Sequence, residues 1–407
     1  MAKLILKLLF LLVILLMLTA FYNRGKIFRL VHTISLFDEG VIAQNFQDME
    51  DTYPTMGLTK STKPYRFAYN KEYVPGGSFE FNDRIIDINT YLKDTYTEGL
   101  LIIKNDTIIY EDYFLGLDET ESHISWSMAK SFTATLIGIF YEKGLFELDD
   151  PIDKYLEDFK GTAYEGVSIR NLLHMSSGVT FDEDYGDFFS DINRFGRGFA
   201  MGSPIRNFAK SLKKGKKPGT FNHYVSIDTE MLAFLLVDLT GKSLTQLTQE
   251  YLWEPMGMEY DGQWIIDNDS MEMALGGLNA TLRDFSKLGL CYKHNGFFNG
   301  HQIVSPDWVE ASLNTDLPHL KPGENPLSSN DHGYGYQWWV PNNNHKAFAM
   351  SGIYNQYVYV DPVNDIVIVK LSANHKFKTE GRITKDMHFE MFDAIIEDII
   401  SHEKVSG

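Results

Sequence analysis

The stretch SWSMAKSFTATLIGIFYEKGLFELDDPIDKYLEDF, residues 125–159, decides how the rest of the chain reads. Within it, Ser127-Met128-Ala129-Lys130 sets a hydroxyl and an amine three residues apart, and on a helix such positions share one face. Ser125 is a candidate N-cap and Gly144 a candidate C-terminal stop, which predicts a helix running to about Lys143. A serine hydroxyl is a poor nucleophile until a neighbouring base takes its proton. A lysine serves as that base only where burial lowers its pKa, because an ammonium has no lone pair to offer. The apolar neighbours Trp126, Met128, Phe132 and Ile137 suit such desolvation. A serine in the first helical turn also lies beside unpaired backbone N–H groups, which a reacting carbonyl can use. The tetrad alone is unspecific. Ser211-x-x-Lys214 and Ser401-x-x-Lys404 repeat it, but neither is followed by an apolar helix.

On either side of this segment the pattern changes. LLIIK (100–104), the turn pair Asn105-Asp106 and TIIYEDYF (107–114) predict a β-hairpin. Helical segments follow at 169–174, 227–239, 244–253 and 283–295, and strand-forming sequence returns in YQWWV (336–340), AFAMS (347–351), YVYVD (357–361) and IVIVKLS (366–372). A final helix is expected over about 385–402. Strands at both ends with helices between them imply an α+β fold, in which one mixed sheet is built from distant chain segments and a mainly helical part lies beside it.

The 407 residues carry a net charge of −18, which argues against a nucleic-acid partner. The densest basic cluster, residues 210–217, is short and reads as a solvated loop. A single cysteine, Cys291, excludes an intrachain disulfide and reads as a buried free thiol. Without a His-Glu-x-x-His pattern or several cysteines, and with its histidines scattered, the chain is expected to need no metal or other cofactor. Asp182, Glu183, Asp184 and Asp187 read as a solvated acidic loop. No Gly-x-Ser-x-Gly elbow occurs, which disfavours the α/β-hydrolase route to a serine hydrolase.

Residues 125–159 resemble the nucleophile helix and following turn of the serine β-lactamase superfamily, in its class C β-lactamase, esterase and D-aminopeptidase branch. VSIRNLLHMSSGVTF (167–181), PGTFNHYVSIDTEMLAFLLVDLTGKSL (218–244), EPMGM (254–258), GGLNATLRDFSKLGL (276–290) and GYGYQWW (333–339) are similar to its later motifs and keep its order. The resemblance implies a β-lactamase/transpeptidase-like fold: a mainly antiparallel sheet flanked by helices, plus a mainly helical subdomain. It implies that Tyr224 relays a proton, and that the backbone N–H groups of Ser127 and Ile353 form an oxyanion hole. Ser226 stands where many members have asparagine. Met350-Ser351-Gly352 stands at the strand that carries Lys-Thr-Gly in β-lactamases, and a methionine there cannot hold a substrate carboxylate. That disfavours β-lactams and points to small esters or amides, as in esterases and the 6-aminohexanoate-dimer hydrolases. GVTFDEDY (178–185) resembles a loop of the latter in which a tyrosine touches the substrate amide. Tyr185 is the matching residue, so Tyr185, Ser226, Met350, Ser351 and Gly352 are the expected substrate-binding positions.

The division expected is a signal or membrane-anchor segment at 1–22, an N-terminal extension at 23–85 and the hydrolase domain at 86–407. Leu8 to Tyr22 is apolar except for Thr19, and Lys3 and Lys7 precede it. A poor small-x-small cleavage site favours an uncleaved anchor, while Arg24, Lys26 and Arg29 blunt the charge signal for orientation. Either reading makes the protein exported: membrane-anchored if the segment is kept, periplasmic or extracellular if it is removed. Two functions follow from the sequence. One is a serine hydrolase that cleaves a small ester or amide through an acyl-enzyme on Ser127. The other is a non-catalytic, membrane-tethered protein that binds cell-envelope (peptidoglycan) fragments on the same fold. Oligomeric state is not readable from the sequence.

Overall fold

Hydrophobic runs some 260 residues apart in the chain meet in one sheet. The structure is a computed structural model that describes residues 2–406 apart from Asn344 and Arg382. In chain order the sheet strands are β1 (Ala68–Tyr69), β2 (Thr97–Lys104), β3 (Thr107–Tyr113), β4 (Gly333–Tyr334), β5 (Trp339–Val340), β6 (Phe348–Gly352), β7 (Gln356–Asp361) and β8 (Ile366–Ser372). They lie in the order β4-β5-β6-β7-β8-β2-β3-β1. Every neighbouring pair is antiparallel except β1 with β3, which is parallel. The hairpin turn has Asn105 at φ 49° and Asp106 at φ 58°. Positive φ at both central residues is the geometry that matches strand twist in a two-residue hairpin.

Side chains alternate across these strands with period two. Leu101, Ile103, Val358, Val360, Val367 and Val369 face one core, together with the helix over Leu282–Lys293. Leu100, Ile102, Tyr357, Tyr359, Ile366 and Ile368 face a second core, against Phe389, Phe392 and Ile396 of the C-terminal helix. Because both faces are covered, the strands read as continuous apolar runs. The expected strand at 336–340 shortens to Trp339–Val340. Gln337 turns the chain at φ 61°, and its amide donates to the carbonyls of Leu172 and Leu173 while accepting from the Thr229 hydroxyl.

The helices that matter for the site are α1 (Ala2–Tyr22), α2 (Arg24–Ser35), α3 (Ala129–Glu142), α4 (Asp191–Ala200), α5 (Ser226–Thr240), α6 (Leu282–Lys293) and α7 (Ile383–Ser406). The helix expected from Ser125 begins with a 3-10 turn at Trp126–Met128, and Ser125 gives no side-chain cap; its hydroxyl donates to the carbonyl of Trp126 instead. Residues 210–217 are not all loop: Lys213–Lys214 pairs with Val179–Thr180, and both lysines stay exposed. Part of the N-terminal extension lies on the rest of the chain. Thr55–Leu58 edges a four-stranded antiparallel sheet with Gly262–Ile265, Leu278–Ala280 and His123–Ile124, and α2 packs against α4. Cys291 is a buried free thiol on α6.

Candidate active site

Ser127 sits in the 3-10 turn that leads into α3, partly exposed at the floor of a cleft between the end of β6 and the loop at 181–186. The backbone there is strained: Trp126 has φ 45°, a left-handed conformation rarely adopted by a bulky residue. Two close approaches hold this turn. A Cβ on Gly352 would come within 2.5 Å of the Ser125 carbonyl oxygen, and one on Gly276 within 3.3 Å of the Trp126 carbonyl carbon.

Lys130 lies one turn along, as the i,i+3 spacing requires, and is 1% exposed. Its Nζ donates to Ser127 Oγ at 3.1 Å and to the carbonyl oxygen of Leu275, and stands 5.3 Å from the centre of the Tyr224 ring. Burial pulls its pKa from 10.5 down to about 8, against the opposing pull of the Glu183 and Glu230 carboxylates. Glu230, on α5, accepts from the backbone N–H of Leu275 at 2.8 Å, and so braces the carbonyl that holds Lys130. Burial raises the Glu230 pKa to about 8. The Tyr224 hydroxyl faces Ser127 and Tyr334, which both act on its pKa, and its ring stacks on Trp339 at 5.5 Å between centroids. Burial, with the Glu183 carboxylate adding to it, holds Tyr224 well above the ordinary phenol range, so it is a neutral hydroxyl at pH 7.

Two expected positions do not reach the cleft. Met350 is fully buried and faces the core with Phe348, because alternate residues of β6 point to opposite sides. The side chain at that position cannot accept or refuse a substrate carboxylate, so, contrary to the expectation from sequence, Met350 does not disfavour β-lactams. Ser226 is 1% exposed at the start of α5, and its hydroxyl and backbone N–H both donate to Glu183. Ser351, Gly352 and Ile353 do line the cleft, and Tyr185 does too.

Glu183 is the site residue that sequence reasoning missed by placing it in a solvated loop. It is half-buried, accepts from Ser226 and, at 2.8 Å, from the Tyr185 hydroxyl, and its charge acts on Lys130. Burial raises its pKa, with Lys130 opposing. The available signal was spacing: in an extended loop residues i and i+2 point the same way, which puts Glu183 with Tyr185 and apart from Asp182 and Asp184.

The space around Ser127 has two chambers. One, of about 430 Å³, is the more polar of the two and is lined by Glu183, His223, Tyr224, Ser351 and Lys385 among others. The other, of about 250 Å³, is apolar and runs between α2 and α4. Ser127, Tyr185 and Ile353 line both. Among the described residues no cluster of His, Cys, Asp or Glu could hold a metal ion.

The chain belongs to the beta-lactamase family, whose model it matches over residues 94–386. It is 28% identical over 298 residues to the 6-aminohexanoate-dimer hydrolase of Paenarthrobacter ureafaciens, covering 71% of this chain and 76% of that one. A solved structure from Bacillus anthracis, assigned as a 6-aminohexanoate-dimer hydrolase, superposes with a TM-score of 0.81 at 25% identity, covering 90% of this chain and 96% of that one. EstCE1, a hydrolase with promiscuous acyltransferase activity, shares the fold at 14% identity and a TM-score of 0.59, over 76% of this chain and 96% of its own.

Proposed function

We propose that the protein is an acyl-enzyme serine hydrolase acting on a small ester or amide, linear amide oligomers included. The observation that carries this reading is the 3.1 Å contact between a buried, pKa-depressed Lys130 and Ser127 Oγ. Neutral Lys130 takes the Ser127 proton as Oγ bonds to the substrate carbonyl carbon. The backbone N–H groups of Ser127 and Ile353 then stabilise the oxyanion; a single donor of this kind is worth about 10²–10³ in turnover. The C–O or C–N bond breaks as Tyr224 gives its hydroxyl proton to the departing atom and takes the proton held by Lys130, which leaves the lysine neutral again. Water attacks the acyl carbon and gives its proton to neutral Lys130, which returns it to Ser127 Oγ as the acyl C–Oγ bond breaks, releasing the acid and restoring Ser127. Glu183 holds Tyr185 and the start of α5 in place and tunes the lysine.

The similarity to the Paenarthrobacter enzyme supports the amide side of this substrate range. For α1 we propose an uncleaved membrane anchor: Lys3–Tyr22 has a mean hydropathy of 2.9 and none of it is buried, so it is not a core helix. Labelling the full chain with a fluorophosphonate and locating the adduct by mass spectrometry tests the mechanism. The adduct is expected on Ser127 and absent from Ser127→Ala. Full turnover by Ser127→Ala, or no adduct together with saturable binding of peptidoglycan fragments, would replace it with the binding-protein reading.

A further inference from the structure

The apolar chamber has walls that the catalytic steps do not use. Leu36 and Phe37 close one side just beyond α2, Ile192, Phe195 and Phe199 of α4 close the other, and Ser127 stands at the inner end. Tyr224 is absent from its lining and belongs to the polar chamber. If Tyr224 protonates the leaving atom, the leaving group lies on the polar side and the acyl group on the apolar side.

At its outer end the chamber meets an exposed apolar face. Ile34 and Phe188 line it while 58% and 55% exposed. Ile27, Phe28, Val31 and Ile34 recur at helical spacing on α2, and all four are exposed. Phe189, beside Phe188, is 82% exposed. This face continues into α1, from which α2 is separated only by Asn23, with helical hydrogen bonds running from Asn23 to Thr19 and from Ile27 to Asn23. Arg24, Lys26 and Arg29 lie on the same helix, and Arg197 of α4 sits 3.7 Å over the Phe188 ring. An exposed apolar stripe with basic residues, joined to a helix able to span a bilayer, is the pattern of an interfacial segment on anionic lipid.

We infer that the chamber between α2 and α4 receives the apolar acyl chain of an amphiphilic ester or amide that enters from the bilayer. The inference rests on the acyl-enzyme and anchor readings above, and it names the substrate class for them. The scissile carbonyl stops at Ser127 and the polar leaving group faces Glu183, His223 and Lys385.

The test uses the full chain in anionic phospholipid vesicles with p-nitrophenyl esters from acetate to decanoate. Burying one methylene is worth about fourfold in binding. Octanoate is therefore expected to exceed acetate in kcat/KM by at least about tenfold, even with most of that gain lost. Gly196 lines the chamber, and a Cβ there would meet no atom within 4 Å, so a larger side chain can start from this position, and Gly196→Phe is the variant chosen to occupy the chamber. It is expected to abolish the octanoate-to-acetate ratio. An unchanged ratio, or no preference in the parent chain, overturns the acyl-chain assignment while leaving Ser127 chemistry intact. A long-chain ester placed in the same vesicles as the protein is expected to be cleaved at least about tenfold faster than one in separate vesicles; equal rates overturn entry from the bilayer. If no ester acylates Ser127 the hydrolase reading fails on its own. The chamber is then judged by saturable binding of a dansylated fatty acid, expected in Ser127→Ala and lost when Gly196→Phe is added; equal binding overturns the proposal.

Discussion

The pH dependence of Ser127 acylation tests the base directly. With its pKa at about 8, about one Lys130 in eleven is neutral at pH 7, whereas at the ordinary 10.5 it would be about one in three thousand. Burial thus multiplies the competent fraction by about 300 at neutral pH. The second-order rate of fluorophosphonate labelling of the full chain, followed by intact mass from pH 5.5 to 9.5, should rise with unit slope and level off above about pH 8. The sign of the neighbouring charges gives a second reading. Glu183 holds the lysine pKa up, so Glu183→Gln should move the limb to lower pH, by about one unit if the carboxylate acts as close opposite charges generally do. Lys130→Arg keeps the charge but cannot be deprotonated, and should lose about 10³ in rate. A profile flat from pH 6 to 9, or a limb that moves upward in Glu183→Gln, refutes the assignment of Lys130 as base.

The relay and the packing make further claims. Tyr224→Phe removes the hydroxyl between Ser127 and the polar chamber. Amide hydrolysis should fall by about 10²–10³, and a p-nitrophenyl ester, whose leaving group needs no proton, by far less; equal losses on both would contradict the relay. Gly138 on α3 faces the Trp308 ring, where a Cβ would sit 2.4 Å from the nearest atom. Gly138→Ala should therefore destabilise by about 2 kcal/mol in urea unfolding, although alanine in a helix normally gains about 1 kcal/mol over glycine.

What the sequence disclosed depended on how local each relationship was. Ser127 and Lys130 meet through helical spacing alone, and the hairpin at Asn105-Asp106 follows from its turn residues, so both could be read directly. Tyr224 became visible only through the resemblance, because nothing in its neighbours marks it as different from a core tyrosine. Met350 and Ser351 could not both have faced a ligand, since adjacent strand residues point to opposite sides. That rule was available in the sequence and would have sent Met350 to the core with Phe348. Glu183 is set beside Tyr185 by i,i+2 spacing, but its hold on Ser226 is a tertiary fact, the docking of its loop on the first residue of α5, which no local pattern contains. The apolar chamber likewise depends on α2, which contacts α4 from more than 150 residues away.

The strained turn at Trp126 explains why two glycines flank a serine that neither of them touches in sequence. Ser127 faces the cleft because residue 126 takes a left-handed conformation, and that conformation persists only while the surroundings enforce it. Gly352 presses on one side of the turn and Gly276 on the other, at clearances of 2.5 Å and 3.3 Å for an added Cβ. The first distance is one that real Cβ atoms do not tolerate against a backbone oxygen, so Gly352→Ala must push β6 away from Ser125 and carry Ile353 with it. The second needs only a few tenths of an ångström. Displacing an oxyanion donor and nucleophile by such amounts costs far more rate than stability. Gly352→Ala should therefore slow Ser127 labelling by about 10² while Gly276→Ala slows it by less than about tenfold. The reverse order would mean that the turn is held from the Gly276 side and that Ile353 has no part in placing the oxyanion.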